Sequence, residues 1–526
     1  MSIFSKVSMP RPPSNTFDLS HDRKFSGKIG ELMPINVTEC VPGDKFTIKS
    51  SNITRFSPLI APIMHRASVY CHYFFVPNRI LWPNWEDFIS GGEDGLSAPS
   101  FPTCAPGTTI APGSLSDYLG LPTDNAYTSA VSVLPFAAYQ KIYNDYYRDE
   151  NLITPVNDSV VDGTNAWTNF NNIRLRAWQH DYFTSALPWT QRGPEATIPL
   201  GTTAPITWIN DTGTATIVKD NATGTSINNM TFDSAAALYT DGTGSLQADV
   251  PTAKYLDFDN SDHLFADLSG ATASSINELR RAFRLQEWLE RNARGGARYI
   301  EIIMAHFGVR SSDARLQRPE FLGGSASPVT ISEVLQTSDS SVPPAGVTES
   351  PQGNMAGHGI SVGSSEYISY KCEEHGYIIG IMSVMPKTAY QQGIPKHFSK
   401  FDKFDYYWPS FANIGEQAIQ NQELYYQGTA DDEGTFGYTP RYAEYKYIPS
   451  SVHGSFRTTL KFWHMGRIFS ALPALNQDFV ECDIAADDLE RIFAVLDPAQ
   501  TEHLYIYLHN EIKATRLMPY FGTPTI

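Results

Sequence analysis

The chain is poor in charge, with Asp, Glu, Lys and Arg together making up 18% of its 526 residues. What charge there is leans acidic: 39 Lys and Arg against 56 Asp and Glu give a net charge of −17. That balance excludes the whole surface as a nonspecific nucleic-acid binder, because neutralising phosphates requires cationic side chains. Any contact with DNA must be local. Cysteine is scarce too: Cys40, Cys71, Cys104, Cys372 and Cys482 are an odd number, far apart, with no CxxC pair. This argues against a disulfide framework or a zinc site. No apolar run approaches the roughly 20 residues that cross a bilayer. The opening MSIFSKVSMPRPPSN also lacks the apolar segment of a secretory signal. No membrane insertion is predicted, and triplets such as Asn36-Val-Thr38 and Asn52-Ile-Thr54 carry no glycan reading.

Signatures of catalysis are missing as well. The chain has no HExxH, Walker loop or dinucleotide fingerprint. Ser20-His21-Asp22 holds the residue types of a triad, but triads are assembled by folding, so this reads as a polar turn. Asp241-Gly-Thr-Gly-Ser245 lacks the ligand spacing and downstream Glu of an EF-hand. His375, behind Glu373 and Glu374, reads as a structural hydrogen-bonding group. No catalytic residue, metal ligand or cofactor is predicted.

The chain is rich instead in aromatics, at 12% with 27 Tyr, and in proline, with 35. That mixture suits a β-rich body carrying ordered loops. Strand-like runs occur at 45–49, 69–76, 298–304, 377–385, 455–463 and 503–509. Phe136, Tyr139, Tyr143 and Tyr147 follow Pro135 at helical spacing. Residues 1–30 form a mildly basic arm in which prolines favour an extended path, and Arg11, Arg23, Lys24 and Lys28 are its candidate residues for a local nucleic-acid contact. Scattered strands separated by long excursions, with no repeated blade motif, point to a jelly roll and not a propeller.

Two stretches change composition. Between 196 and 275 there are nine Asp, two Lys, fourteen Thr and neither Glu nor Arg. A segment this polar is surface, and too long for a passive loop in a compact domain. The runs 206–209, 215–218 and 235–239 could supply short strands to it. A second excursion at 323–365, rich in Ser, Gly and Pro, also reads as a surface loop.

Between them lies INELRRAFRLQEWLERNARGGARYIEIIMAHFGVRSSDARLQRPEFLGG. Ser275 and Glu278 form a capping box that starts a helix near Ile276. Arg294-Gly295-Gly296 stops it, and a strand from Arg298 to Met304 follows. Residues 280–318 hold nine Arg and no Lys. Interspersed with acids, that mix suits bidentate pairing between subunits. Arg294, Gly295, Gly296, Arg298, Arg315 and Arg318 are the candidate interface or hinge residues. The aromatic clusters at 404–409 and 442–447 read as core or interface packing, because acids dilute the positive field a base-stacking groove needs.

This block, together with FDLSHDRKFSGKIGELMPINVTECVPGDKF at 17–46, RASVYCHYFFVPNRILWPNWEDF at 66–88, EHGYIIGIMSVMPKTAYQQG at 374–393 and FGYTPRYAEYKYIPSSVHGSFR at 436–457, closely resembles the Microviridae major capsid proteins. The likeness is greatest to the gokushovirus-like branch of these small, tailless, single-stranded DNA bacteriophages. It implies an eight-stranded antiparallel jelly roll with long inter-strand insertions, forming one capsid domain over residues 1–526. It also implies a homo-oligomeric T=1 icosahedral shell around circular single-stranded DNA, assembled in the bacterial cytoplasm and located in the virion. The segment 196–275 would be a threefold protrusion used in host attachment. The partners implied are a small basic DNA-binding capsid protein, an internal scaffolding protein, a pilot protein and a bacterial surface receptor. A different class, a β-rich carbohydrate-binding protein or glycosidase, would also account for aromatics beside acidic loops; a glycosidase needs two carboxylates at a set separation.

Overall fold

The computed structural model describes residues 13–93, 96–123, 128–193, 206–208, 238–240, 246–248, 255–256, 264–266, 276–295, 301, 304–305, 310, 312–337, 353–495 and 502–521. The chain divides into two compact units, residues 1–192 with 290–526, and residues 193–289.

The larger unit is mainly β, and its two large sheets are antiparallel. Its strands of four or more residues are β1 (Asn15–Asp18), β2 (His21–Gly27), β3 (Met33–Cys40), β4 (Lys45–Phe56), β5 (Ala67–Pro77), β6 (Glu320–Pro328), β7 (Thr330–Leu335), β8 (Met355–Ser364), β9 (Ile368–Lys371), β10 (Gly376–Pro386), β11 (Glu416–Gln420), β12 (Thr435–Pro440) and β13 (Leu504–Arg516). A seven-stranded sheet runs β1-β13-β4-β8-β7, with β2 also on β13 and β9 also on β4. A four-stranded sheet runs β6-β5-β10-β3. Each strand's alternation shows which face is buried, since successive side chains point to opposite faces. In β4, Phe46, Ile48, Ser50, Asn52, Thr54 and Phe56 turn inward, and in β13 so do Leu504, Ile506, Leu508, Asn510, Ile512 and Ala514. They pack against Met33, Ile35, Val69, Cys71, Phe75, Ile378 and Met382 of the four-stranded sheet, forming the main core.

The four-stranded sheet is covered on both faces. Its other side, with Phe74, Val76, Ile379 and Ile381, packs on helix α1 (Leu134–Ile142), which continues as a π-turn at Tyr143–Tyr147. Double burial explains why β10 reads as nearly unbroken apolar sequence. One polar thread crosses the main core: the Tyr73 hydroxyl donates to Asn510 Oδ1 at 2.8 Å, and Asn510 Nδ2 donates to Ile35 O at 2.9 Å. It ties β13 to β5 and β3 of the facing sheet and fixes register, because a one-residue slip would leave these groups buried without partners. All five cysteines are buried free thiols.

Several expectations need correction. The arm, expected as an extended path, is strand over Asn15–Asp18 and His21–Gly27, both paired with β13; residues 1–12, with Arg11, lie outside the described residues. The excursion at 323–365 is largely β6, β7 and β8, with 338–352 not described. The run 455–463 is not a strand: it folds into short 3-10 turns at Gly454–Arg457 and Lys461–Trp463. The Arg457 guanidinium bonds back to Val452 O, and His464 Nε2 lies 2.9 Å from Phe456 O, so local side chains take what a sheet would have used. After the helix α2 (Ile276–Gly295), Glu301, Met304 and Ala305 are helical where the apolar run predicts a strand. Ile300, Ile303, Met304 and Phe307 share a 3.6-residue period that the shortness of the run conceals. Ser275 and Gly296 lie outside the described residues; α2 itself begins at Ile276 and ends at Gly295 as predicted.

The smaller unit holds a pair, Ile206–Trp208 with Leu264–Ala266, and a three-stranded sheet of Leu238–Thr240, Leu246–Ala248 and Tyr255–Leu256, all antiparallel. The predicted run at 215–218 is not among the described residues.

Gly30 marks a tight point of the larger unit. Its φ is +90°, and a Cβ there would meet Cys482 O at 2.0 Å. Backbone on both sides is engaged, with Gly30 N donating to Val384 O at 3.0 Å and Arg176 N to Gly30 O at 2.8 Å. Gly30→Ala combines a left-handed backbone cost of about 1–2 kcal/mol with a main-chain collision. The expected result is loss of most soluble folded protein, measured by expression yield and circular dichroism. Wild-type yield would contradict it.

Candidate assembly surfaces

Residues 396–448 present a platform of aromatic and aliphatic side chains to solvent. Phe398, Phe401, Phe404, Tyr406, Tyr407 and Trp408 are all exposed, Phe401 at 91%, and Ile448 stands at 86%. The segment is nonetheless firmly held. Three 3-10 turns, Lys396–Phe398, Lys403–Asp405 and Pro409–Phe411, carry it, the middle one closed by a capping box between Asp402 and Asp405. Trp408 Nε1 donates to Lys403 O at 2.9 Å, and Arg441 donates to Phe404 O at 3.0 Å. Lys400 bridges to Glu444 Oε1 at 2.7 Å and sits 4.0 Å from the Tyr445 ring centre. Burial would raise the Glu444 carboxyl, but Lys400 and Gln417 outweigh it and hold it below the usual range. Polar groups thus fix the underside while apolar surface is left open, which is how a soluble protein marks a partner site. The sequence carries a signal for it, Phe398, Phe401 and Phe404 at three-residue intervals running into Tyr406-Tyr407-Trp408, but nothing in it distinguishes core from surface. Tyr442 alone of the second cluster is buried.

The predicted site residues are dispersed. Arg23 is mostly buried, donating to Tyr118 O and Pro34 O, and burial lowers its pKa. Lys24 is exposed on the outward face of β2, with its ammonium 5.7 Å from the Tyr507 ring centre. Lys28 is half-buried beside Glu31, whose carboxylate accepts its backbone N–H at 3.0 Å. Arg294 donates through Nε to Glu416 Oε1 at 2.8 Å and reaches Tyr438 O at 3.1 Å. Arg318 lies 4.2 Å from the Tyr146 ring centre, with Asp313 at 3.4 Å. Arg315 is exposed, Gly295 closes α2, and Gly296 and Arg298 lie outside the described residues.

Two further groupings join residues far apart in sequence. A cavity of about 450 Å³ is lined by His65, Arg66, Lys387, His453, Phe456 and His464. His464 Nδ1 accepts the Gly466 N–H at 3.0 Å while Nε2 faces Phe456 O, which fixes the ring in its neutral tautomer. His65 Nε2 lies 2.7 Å from Lys387 O, and burial lowers its pKa to about 4, with His464, Arg491 and Arg66 adding to the effect. Deeper still, Arg467, 2% exposed, pairs with Asp487 at 3.1 Å among the rings of Phe479, Phe469 and Trp178. Burial pushes the Asp487 carboxyl up despite Arg467 beside it.

Among the described residues no group of three or more His, Cys, Asp or Glu is arranged to hold a metal ion, and no helix is long and apolar enough to cross a membrane. Comparison with known proteins agrees with an assembly reading. The sequence model of the family described as "Capsid protein (F protein)" matches residues 5–526. The chain is 36% identical over 513 residues to Capsid protein VP1 of Bdellovibrio phage phiMH2K, covering 94% of this chain and 92% of that one. It is 33% identical over 590 residues to Capsid protein VP1 of Chlamydia phage 1, covering 99% and 97%, and 34% identical over 549 residues to that of Spiroplasma virus 4, covering 97% and 95%. Matched from end to end by such relatives, a β-rich chain with rigid, outward aromatic surface belongs to the F-protein capsid family of Microviridae, and is a structural, non-enzymatic component of the virion that assembles as an oligomer.

Proposed function

We propose that the chain forms the T=1 icosahedral shell of a small phage, enclosing a circular single-stranded DNA genome, with the eight strands β2, β3, β4, β5, β6, β8, β10 and β13 acting as a jelly roll. The observation that carries the fold is nested antiparallel pairing: β2 with β13, β3 with β10, β4 with β8, and β5 with β6. First strand pairs with last and the middle two with each other, the pattern of a long hairpin folded over onto two sheets. The platform at 396–448 supplies a subunit contact, since interfaces draw their energy from desolvated Tyr and Trp. The smaller unit, with its polar insertion at 196–275, serves attachment to a bacterial surface receptor. A net charge of −17 leaves the genome to be neutralised largely by others. A small basic capsid protein does this work, while an internal scaffolding protein guides assembly and a pilot protein travels with the DNA.

The test is expression of the chain with its accessory proteins, followed by electron microscopy, where closed icosahedral shells are expected. Replacing residues 210–262 with a short Gly/Ser linker should keep particle yield and lower adsorption to host cells at least tenfold. Intact particles that adsorb normally would remove the attachment role.

A further inference from the structure

The outward face of the seven-stranded sheet inverts the charge of the chain. Lys24 on β2, Lys45, Lys49 and Arg55 on β4, Lys371 on β9 and Lys513 on β13 all point away from the core. Against these six cations the strands of the same face carry three carboxylates among the described residues, with Glu502 bonded to Ser26 at its edge, and each is engaged. Asp18 accepts the amide of Ser20 at 3.0 Å. Asp22 lies 2.7 Å from His509 Nδ1. Glu511 lies 3.9 Å from Lys513 and accepts the Tyr367 hydroxyl at 3.2 Å. In a chain with 17 more acids than bases this is a local positive field.

Aromatic rings are interleaved with the cations. Tyr505 and Tyr507 project from β13, 39% and 38% exposed, and Tyr367 stands at 58%. Register places them among the basic residues: Tyr507 lies opposite Lys24 on one side and Ile53 on the other, and Tyr505 opposite Arg55. The Lys49 ammonium sits 4.9 Å from the Tyr367 ring centre. Flat rings in a positive groove are what single-stranded nucleic acid needs, because every base has a face to stack and every nucleotide a phosphate to neutralise. Lysines alone would serve an acidic protein surface as well; the alternation of cations with rings at neighbouring register positions is what matches a strand of stacked bases and phosphates.

We infer that this face is the chain's own contact with single-stranded DNA, with Lys24, Lys49 and Arg55 taking phosphates and Tyr367, Tyr505 and Tyr507 stacking bases. It rests on the genome-enclosing reading above and says where the capsid protein itself touches the genome. The face is built on the rigid central strands, so it is present before any DNA arrives.

The experiment titrates the full-length chain with a fluorescently labelled oligothymidylate across a salt series, with polyaspartate as competitor. Lys49→Ala with Arg55→Ala should flatten the dependence of log K on log salt by about 0.7 for each phosphate that no longer meets a cation. Tyr507→Ala should weaken binding about tenfold, and Tyr507→Phe should restore it, because stacking needs the ring and not the hydroxyl. Ultraviolet cross-linking of DNA-filled wild-type particles should attach nucleotide to the peptide holding Tyr505 and Tyr507, a readout that needs no variant to fold. Polyaspartate competing as well as the oligonucleotide, with Tyr507→Ala unchanged, would assign the face to an acidic protein and overturn the inference. Undiminished binding by the Lys49 and Arg55 variants would overturn it too. The shell reading fails separately, if the wild-type chain gives no closed particles by electron microscopy.

Discussion

Arg467→Ala is expected to destabilise the larger unit by about 3–5 kcal/mol at neutral pH, because it removes one partner of a buried ion pair and leaves the other. The guanidinium is held 3.1 Å from Asp487 and packs over Phe479 with 4.3 Å to the ring centre, so charge and packing disappear together. The remaining carboxylate keeps a backbone N–H from Asp483 at 3.2 Å but loses its ion-pair partner. Its pKa already lies above the ordinary aspartate value through burial, and in the variant it rises further. A raised folded-state pKa contributes stability that is complete at low pH and lost as pH rises through it. The deficit of the variant should therefore be smaller in mild acid than at pH 8. Adding Asp487→Asn to Arg467→Met should recover much of the loss, since an uncharged pair of similar volume avoids the stranded charge. Urea unfolding of the single and double variants at two pH values measures all of this. A loss under about 1 kcal/mol would mean that water reaches Asp487.

Acidification is expected to have the second large effect. Burial lowers His65 and His72 to about 4, and lowers His464 and His503 as well. The charges facing His65 and His72 oppose protonation further, whereas Glu490 partly offsets the burial of His503. His65 has His464, Arg491 and Arg66 around it, and His72, stacked on Tyr147 and hydrogen-bonded to its hydroxyl at 2.8 Å, has Arg176. A folded-state pKa below the unfolded value means that the unfolded chain binds more protons between the two. Stability is then complete above about pH 6.5 and falls as pH drops toward 4. For His65 and His72 the fall is roughly 2–4 kcal/mol each over that window. Glu31 and Asp487, both raised by burial, work the other way and soften the fall at its acidic end. Thermal unfolding from pH 7 to pH 4 should show a steep decline, flattened by His72→Phe and His65→Gln. A flat wild-type profile would show that these rings are solvated.

How far the sequence can be read depends on what fills each strand. β4, β5, β10 and β13 are legible because large apolar residues alternate or run together where two sheets meet. β6 and β8, which read as loop, are EFLGGSASP and MAGHGISVGS, nearly devoid of the side chains that announce a strand. The reason is closeness. A Cβ on Gly324 would lie 2.4 Å from Cys71 O, one on Gly357 2.3 Å from Ala61 O, and one on Gly363 2.5 Å from Ser327 Oγ. Glycine in a strand marks backbone approached by a neighbour, and without the fold that reads as flexibility. The surfaces are harder still. Lys24 stands out by its position in a basic arm, but the ring that gives it meaning, Tyr507, comes from the other end of the chain. Charge counts along the sequence see none of this, because the sheet brings together residues that are hundreds of positions apart.

The pairing of β13 with both β2 and β4 also sets a clock on the newborn subunit. Strands near the start of the chain wait, with their edges unfilled, until the ribosome has made residues 504–516. Until then the largest sheet lacks its middle, and an open strand edge invites wrong partners. Every nascent copy therefore passes through a long interval in which it is vulnerable to aggregation and unable to join a shell. A chain broken off early never leaves that interval, so the fold itself inspects each subunit for completeness before the particle can use it.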